Sequence, residues 1–408
     1  MIIIPILIFL AMIIAKIKKG LFASFLVLVA TKSVVDAFWN FKLGPLSIMS
    51  LQGALIPILF YQILKHRKMI PKFWLNTANI YLIALSLGVF WALPIKPIAT
   101  FEIIILNLNI YLGFILIPLL INDKKKLKQF LLAIMICGIF PVLVSIFQLQ
   151  TGIIFRERVT IGLSRYVGFY HDAFPTRFYG LMTLMSILIY QSVYKINSFF
   201  FKIFLLLLSS GALVSMYAVF SKAAVSIIVV WIVILLLFSK TKVKQSFTIL
   251  IGALVIILVF GDAVSGNIEQ LFSKELGYQS GDVKDARYTL AGRGYIWQKY
   301  WDFWTTEQSI FFQLFGDGID RPVHNEFFRV LLVNGILGLF SLIIFLVNMI
   351  LNTFKIHRNI RVFGMMLLAM YSIDCIGLVP GSYYYYNILV WGIFGTLLMK
   401  PQLFIKQT

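Results

Sequence analysis

Cysteine is almost missing from this 408-residue chain: only Cys137 and Cys375 occur, each inside an apolar run and neither in a CxxC or Cys/His cluster. That excludes a disulfide framework and indicates no cysteine-based metal site. Histidine is as sparse, with four residues, and acids number 16 against 36 Lys and Arg. Charge as a whole is scarce, since 13% of residues are charged and 60% are hydrophobic. Soluble domains carry roughly 45–50% apolar residues, and a stretch such as 199–238 would leave more apolar surface than a soluble core can hide. An ordinary soluble protein is therefore excluded. The net charge of +20 does not point to nucleic acid, because Lys and Arg gather in short gaps between apolar runs.

What the chain has in abundance is those runs. They fall near 2–15, 21–38, 46–64, 73–92, 100–120, 127–148, 173–194, 199–216, 222–238, 246–261, 325–352, 361–379 and 384–400. The expected fold is an all-α polytopic membrane protein with about 12–13 transmembrane helices, the first run being short of the roughly 20 residues a straight span needs. That first run precedes Lys16, Lys18 and Lys19, the reverse of a cleavable signal, and is expected to be retained.

Topology follows from the distribution of charge. One alternating set of connections holds Lys16, Lys18 and Lys19; Lys65, Arg67, Lys68 and Lys72; Lys124, Lys125, Lys126 and Lys128; Lys195 and Lys202; Lys240, Lys242 and Lys244; Lys355, Arg358 and Arg361; Lys400 and Lys406. These are more than half of the 36 basic residues, against one acid, Asp123. The positive-inside rule assigns this set and the C-terminus to the cytoplasm, and the two long connections to the outside. The chain then divides into N-terminal transmembrane helices (1–149), an outer loop (150–172), central transmembrane helices (173–261), a large outer loop (262–323) and C-terminal transmembrane helices (324–408). No internal repeat or recurring pair of Gly/Pro-broken helices is visible, which weighs against a transporter.

Polar groups inside apolar runs are costly and for that reason informative. Lys32 and Asp36 lie four apart, on one helix face, and are expected to form an internal ion pair that fixes packing. Four arginines, Arg156, Arg158, Arg165 and Arg177, fall in and just after the first outer loop. A planar fork of donors suits phosphate oxygens, and it equally suits lipid headgroups at the membrane edge. Lys222, in a turn between two apolar helices, can snorkel to the interface or face a cavity. In the large loop Tyr295, Ile296, Tyr300, Phe303 and Trp304 recur near helical spacing, predicting an amphipathic helix opened by Arg293. A guanidinium at a helix N-terminus is a good anion site.

The stretch that draws these together is 317–339, DGIDRPVHNEFFRVLLVNGILGL, where His324, Asn325, Glu326 and Arg329 stand at the mouth of an apolar helix. Imidazole is the side chain best suited to take a proton near neutral pH. His324 and Glu326 are the candidates for acid–base work, with Asn325 and Arg329 in support.

In order along the C-terminal half, SKAA at 221–224, GRGYIW at 292–297, FGDG at 315–318 and HNEFFRVLLVNGILG at 324–338 resemble the O-antigen polymerase and O-antigen ligase superfamily. Lys222 stands where the family often has Arg, and Glu326 where a small polar residue is common. The resemblance implies a GT-C-like membrane glycosyltransferase of the bacterial inner membrane that needs no metal or other cofactor, with its site facing the periplasm. Its implied substrates are undecaprenyl-diphosphate-linked oligosaccharides, which a polymerase joins to another lipid-linked repeat unit and a ligase joins to the lipid A core. A chain-length regulator is an implied partner, with membrane lipids around the protein. Arg165, Arg177, Lys222 and Arg293 are the residues expected to hold the diphosphate. A lipid-linked oligosaccharide flippase is the reading from a different class.

Overall fold

A computed structural model describes residues 3–43, 46–239 and 261–406. Of the described residues 80% are helical. In order the helices are α1 (Ile3–Lys19), α2 (Leu21–Asp36), α3 (Ile48–Phe60), α4 (Lys72–Leu87), the short α5 (Val89–Ala92), α6 (Pro97–Leu120), α7 (Lys124–Thr151), α8 (Ala173–Val193), α9 (Phe199–Ala218) and α10 (Lys222–Phe238). After the second stretch come α11 (Asp262–Ser280), α12 (Thr289–Asp302), α13 (Ile310–Phe315), α14 (Glu326–Lys355), α15 (Arg358–Gly377) and α16 (Tyr384–Met399). Two tiny antiparallel ribbons pair Lys42–Leu43 with Leu46–Ser47 and Val159–Thr160 with Leu163–Ser164.

The apolar runs read from the sequence lie largely on helices, apart from 246–261, which together with Lys240, Lys242 and Lys244 falls outside the described residues. Among the described residues six helices are long and apolar enough to cross a membrane by length and composition, and α10 and α16 are shorter apolar helices; the remaining expected spans fall on shorter or more polar helices or outside the described residues. The reasons are local. Helix α2 stops after 16 residues at the buried Asp36, and α3 gives way to a 3-10 stretch at Tyr61. Helix α8 mixes Thr176, Arg177, Thr183 and Ser186 into its apolar residues. Six such helices mark an all-α, membrane-embedded protein.

Helix α8 is the axis of the molecule: nearly all of its residues are buried, with α7, α9 and α2 packed on it. A polar seam runs through this packing. The expected Lys32–Asp36 ion pair forms and Asp36 also accepts from the Tyr179 hydroxyl of α8, while the Ser33 hydroxyl donates to the Cys137 carbonyl of α7 at 2.6 Å. These groups satisfy one another, as buried polar groups at membrane depth must.

Helix α14 is not continuous. Gly335 has φ 68° and ψ −172° in mid-helix, and the carbonyls released there accept from the outer loop: Asp317 N–H donates to Leu332 O at 3.3 Å and Gly318 N–H to Val333 O at 3.0 Å. A Cβ on Gly316 would stand 2.2 Å from Val333 O, and one on Gly335 2.3 Å from Leu314 O. The same break meets the kink between α4 and α5, where a Cβ on Gly88 would lie 1.8 Å from Val333 O. Three interrupted backbones thus interlock through glycine, and Asn107 and Asn334 both donate to the Leu85 carbonyl, at 2.9 and 2.6 Å. This lock fixes the strand of loop that ends in His324.

Candidate functional site

The His-Asn-Glu triplet is pulled in three directions. His324 has φ 50°, the left-handed region that non-glycine residues seldom occupy and that is held only by surrounding structure. That structure is visible on both sides. The Trp297 indole donates to the Val323 carbonyl at 3.0 Å, and the Asn325 side chain caps α14 by accepting from Phe328 N–H at 3.0 Å. The His324 side chain is exposed. Glu326 points the other way: it is 1% exposed, bound to the Arg329 guanidinium at 2.7 Å and to the Gly381 N–H at 3.1 Å. A Cβ on Gly381 would be 2.3 Å from its Oε1, so the two segments touch without room for a side chain.

Three arginines from three parts of the chain lie within electrostatic reach of one another, and one of them, Arg293, within that of His324. Arg177, 1% exposed, is ion-paired to Asp374 of α15, lies over the Phe174 ring at 4.8 Å and reaches the Ser221 hydroxyl at 3.4 Å. Arg165 donates to the Phe220 carbonyl at 3.1 Å; Phe220 has φ 41°, which turns that carbonyl toward the loop. Arg293, in the first turns of α12, rests against the end of α15, where a Cβ on Gly377 would lie 3.0 Å from its Nη1. Their charges act on one another. Burial, then Arg177 and Arg293, lower the Arg165 pKa to about 10. Burial and Arg177 lower that of Arg293.

Among the described residues neither Arg165 nor Arg293 forms an ion pair. The buried Nε atoms of Arg165 and Arg177 have no hydrogen-bond partner there either. Crowded guanidinium groups that outnumber the carboxylates near them, here Asp374 and Asp172, repel one another and become more favourable when an anion joins them. The N-terminus of α10 adds to the same field, because its cap is the Ser221 that Arg177 touches.

Partial burial, and secondarily Arg293, lower the His324 pKa below its ordinary value, while Asp172 raises it. The imidazole is therefore the neutral form at pH 7, able to accept a proton. Asp172 caps α8 through Phe174 N–H at 2.7 Å and has the His171 ring nitrogen 3.5 Å away. Burial raises its pKa, but those hydrogen bonds and the charges of His171 and Arg177 together leave it lowered.

Electrostatics thus links Arg165, Arg177, Arg293 and His324, while three other expected residues are engaged by partners of their own. The Lys222 ammonium is 2.5 Å from Glu275 on α11. Glu326 and Arg329 brace each other inside the protein. Asp172, Asp374 and Trp297 adjoin these residues, though the sequence reading gave none of them a role. Asp374 carried a usable signal, as a lone acid inside an apolar run, and Asp172 carried one as an Asp directly before a helix. Trp297 lies four residues after Arg293, on the same face of α12.

An apolar groove of about 270 Å³ begins at the Ser221 turn and runs between α9, α10 and α11, lined by Met216, Tyr217, Phe220, Ala224, Ile228 and Leu271. Among the described residues no three His, Cys, Asp or Glu side chains cluster closely enough to hold a metal ion. In comparison with known proteins, the chain matches no family model and no curated protein.

Proposed function

We propose that the protein is a surface-polysaccharide polymerase with a GT-C-like fold, moving an undecaprenyl-diphosphate-linked glycan onto a sugar hydroxyl of another lipid-linked repeat unit. What supports this reading is the trio of guanidinium groups, two of them without an ion-pair partner among the described residues, with Arg293 in electrostatic reach of His324 and the apolar groove opening at Phe220 and Ser221. A diphosphate with a lipid tail has the two properties such a place selects.

In this account His324 accepts the proton of the acceptor hydroxyl as its oxygen attacks the anomeric carbon. The bond from that carbon to the diphosphate oxygen breaks in the same step, so the anomeric centre inverts, and undecaprenyl diphosphate leaves with the electron pair. Arg165, Arg177 and Arg293 meet the charge that develops on the leaving group, a contribution of several kcal/mol at a site shielded from water. Lys222 joins them only by exchanging Glu275 for phosphate. Glu326 and Arg329 act at one remove, by fixing the start of α14. The reading places the protein in a bacterial inner membrane with the site on the periplasmic side, where a chain-length regulator is the natural partner.

A transporter for the same lipid-linked glycan has one observation in its favour, the break in α14 at Gly335, since broken helices line transporter sites. Here, however, the Leu332 and Val333 carbonyls at the break already accept from Asp317 and Gly318. Deleting the gene and resolving surface polysaccharide on a gel separates the readings. Single repeat units on the lipid core are the polymerase result; bare core with lipid-linked polymer accumulating would mean a ligase; lipid-linked single units held on the cytoplasmic face would mean a transporter.

A further inference from the structure

The return limb of the large outer loop carries an apolar face that the protein itself does not cover. Ile310, Phe311 and Leu314, on one side of α13, are 76%, 42% and 40% exposed. They do not stand alone. Phe311 meets Trp91 edge-on, with ring centres 5.1 Å apart, and beside Trp91 the short turn between α5 and α6 exposes Ile95 and Ile98, 69% and 53% accessible. Trp91 ends one of the six membrane-length apolar helices and Ile98 begins another. The patch thus continues from the ends of two helices long and apolar enough to cross a membrane.

Its polar border is equally defined. Thr305, Thr306 and Glu307, in the turn just before α13, are exposed, and Lys96 is exposed at the tip between Ile95 and Ile98, where a long side chain can reach past apolar surface to water. An exposed aromatic and aliphatic face bounded by short polar and charged groups is the pattern of an interfacial segment. The glycine lock leaves α13 little freedom to choose another place, because Asp317 and Gly318, just after it, are hydrogen-bonded into the break of α14.

We infer that α13 is embedded in the headgroup and acyl boundary of the bilayer on the side of the long loops, so that the outer loop is anchored in lipid through Trp91, Ile95, Ile98, Ile310, Phe311 and Leu314. This inference does not depend on the transfer chemistry proposed above. One consequence is that the arm leading to His324 is held at the level of lipid headgroups, where the phosphate groups of any membrane-borne substrate lie.

The test uses the full chain reconstituted in phosphatidylcholine/phosphatidylglycerol vesicles, with a nitroxide attached at Ile310→Cys, Leu314→Cys or Thr306→Cys; the native Cys137 and Cys375 are buried. Power saturation should show the labels at 310 and 314 relaxed by oxygen more than by a water-soluble nickel chelate, and the label at 306 the reverse. Preference for the nickel chelate at 310 and 314 would overturn the inference, as would labels there shielded from both reagents, the mark of a protein partner or a second copy. If labelled variants do not fold, the Trp91 fluorescence, taken as native chain minus Trp91→Phe, should be quenched more by lipids brominated near the headgroup end of the chain than near its terminus. Equal or absent quenching would count against it.

Discussion

Arg177 and Asp374 form a buried ion pair between helices α8 and α15, joining residues 197 positions apart in the chain. The pair does two things at once. It neutralises a charge inside the protein, and it holds one face of the guanidinium while leaving the buried Nε without a partner. Removing one member of such a pair typically costs about 3–5 kcal/mol, because the other is left as an uncompensated buried charge. Asp374→Ala should therefore lower thermal stability in detergent sharply. The joint change Arg177→Met with Asp374→Leu should recover most of it yet restore no glycan transfer. Recovery of both would show that the pair serves packing alone.

The pH dependence of transfer has a sign that can be worked out. His324 must be neutral to accept a proton, so the rate is full above its pKa and falls as pH drops through it, with the midpoint below the ordinary 6.5. Arg293 lowers that pKa and Asp172 raises it. Arg293→Gln should move the acid limb of kcat/KM to higher pH, and Asp172→Asn should move it to lower pH. Shifts in the same direction, or none, would remove His324 from the titration.

Glu326 gives a contrasting expectation. Its oxygens are occupied by Arg329 and the Gly381 N–H, so Glu326→Gln should weaken the protein by a few kcal/mol without altering the pH midpoint of whatever activity survives. A displaced midpoint with unchanged stability would return Glu326 to the acid–base step.

The glycine lock should be intolerant. Gly316 and Gly335 have φ of 78° and 68°, and a methyl group at either would overlap a carbonyl. Gly335→Ala is expected to cost about 2 kcal/mol or more. Hydrogen exchange measured in nanodiscs should then show earlier opening at 314–324 than elsewhere; uniform exchange would mean that the loop is held by other contacts.

Much of this architecture can be read in the residues before any coordinates. The apolar runs find their helices because length and composition decide them, and Lys32 finds Asp36 because a four-residue step on a helix decides that too. The pairing of Arg177 with Asp374 is a tertiary event with no local signal to announce the partner. The run at 325–352 looks unbroken because its one non-helical residue, Gly335, is tolerated by apolar neighbours that read as continuous helix. Most instructive is the triplet at 324–326. Adjacent polar residues suggest a shared task, yet the left-handed backbone at His324 and the cap at Asn325 send His324 outward and Glu326 inward.

The central claim is that His324 and the arginine trio transfer a lipid-linked glycan. Its most direct test is the purified protein in vesicles supplied with undecaprenyl-diphosphate-linked repeat units, scored for glycan length and released undecaprenyl diphosphate. The native chain should produce polymer, while His324→Ala and Arg293→Ala, folded and reconstituted at equal level, should lose about 100-fold or more of the rate. Near-native polymer from both variants, or no transfer by the native chain, would contradict the account.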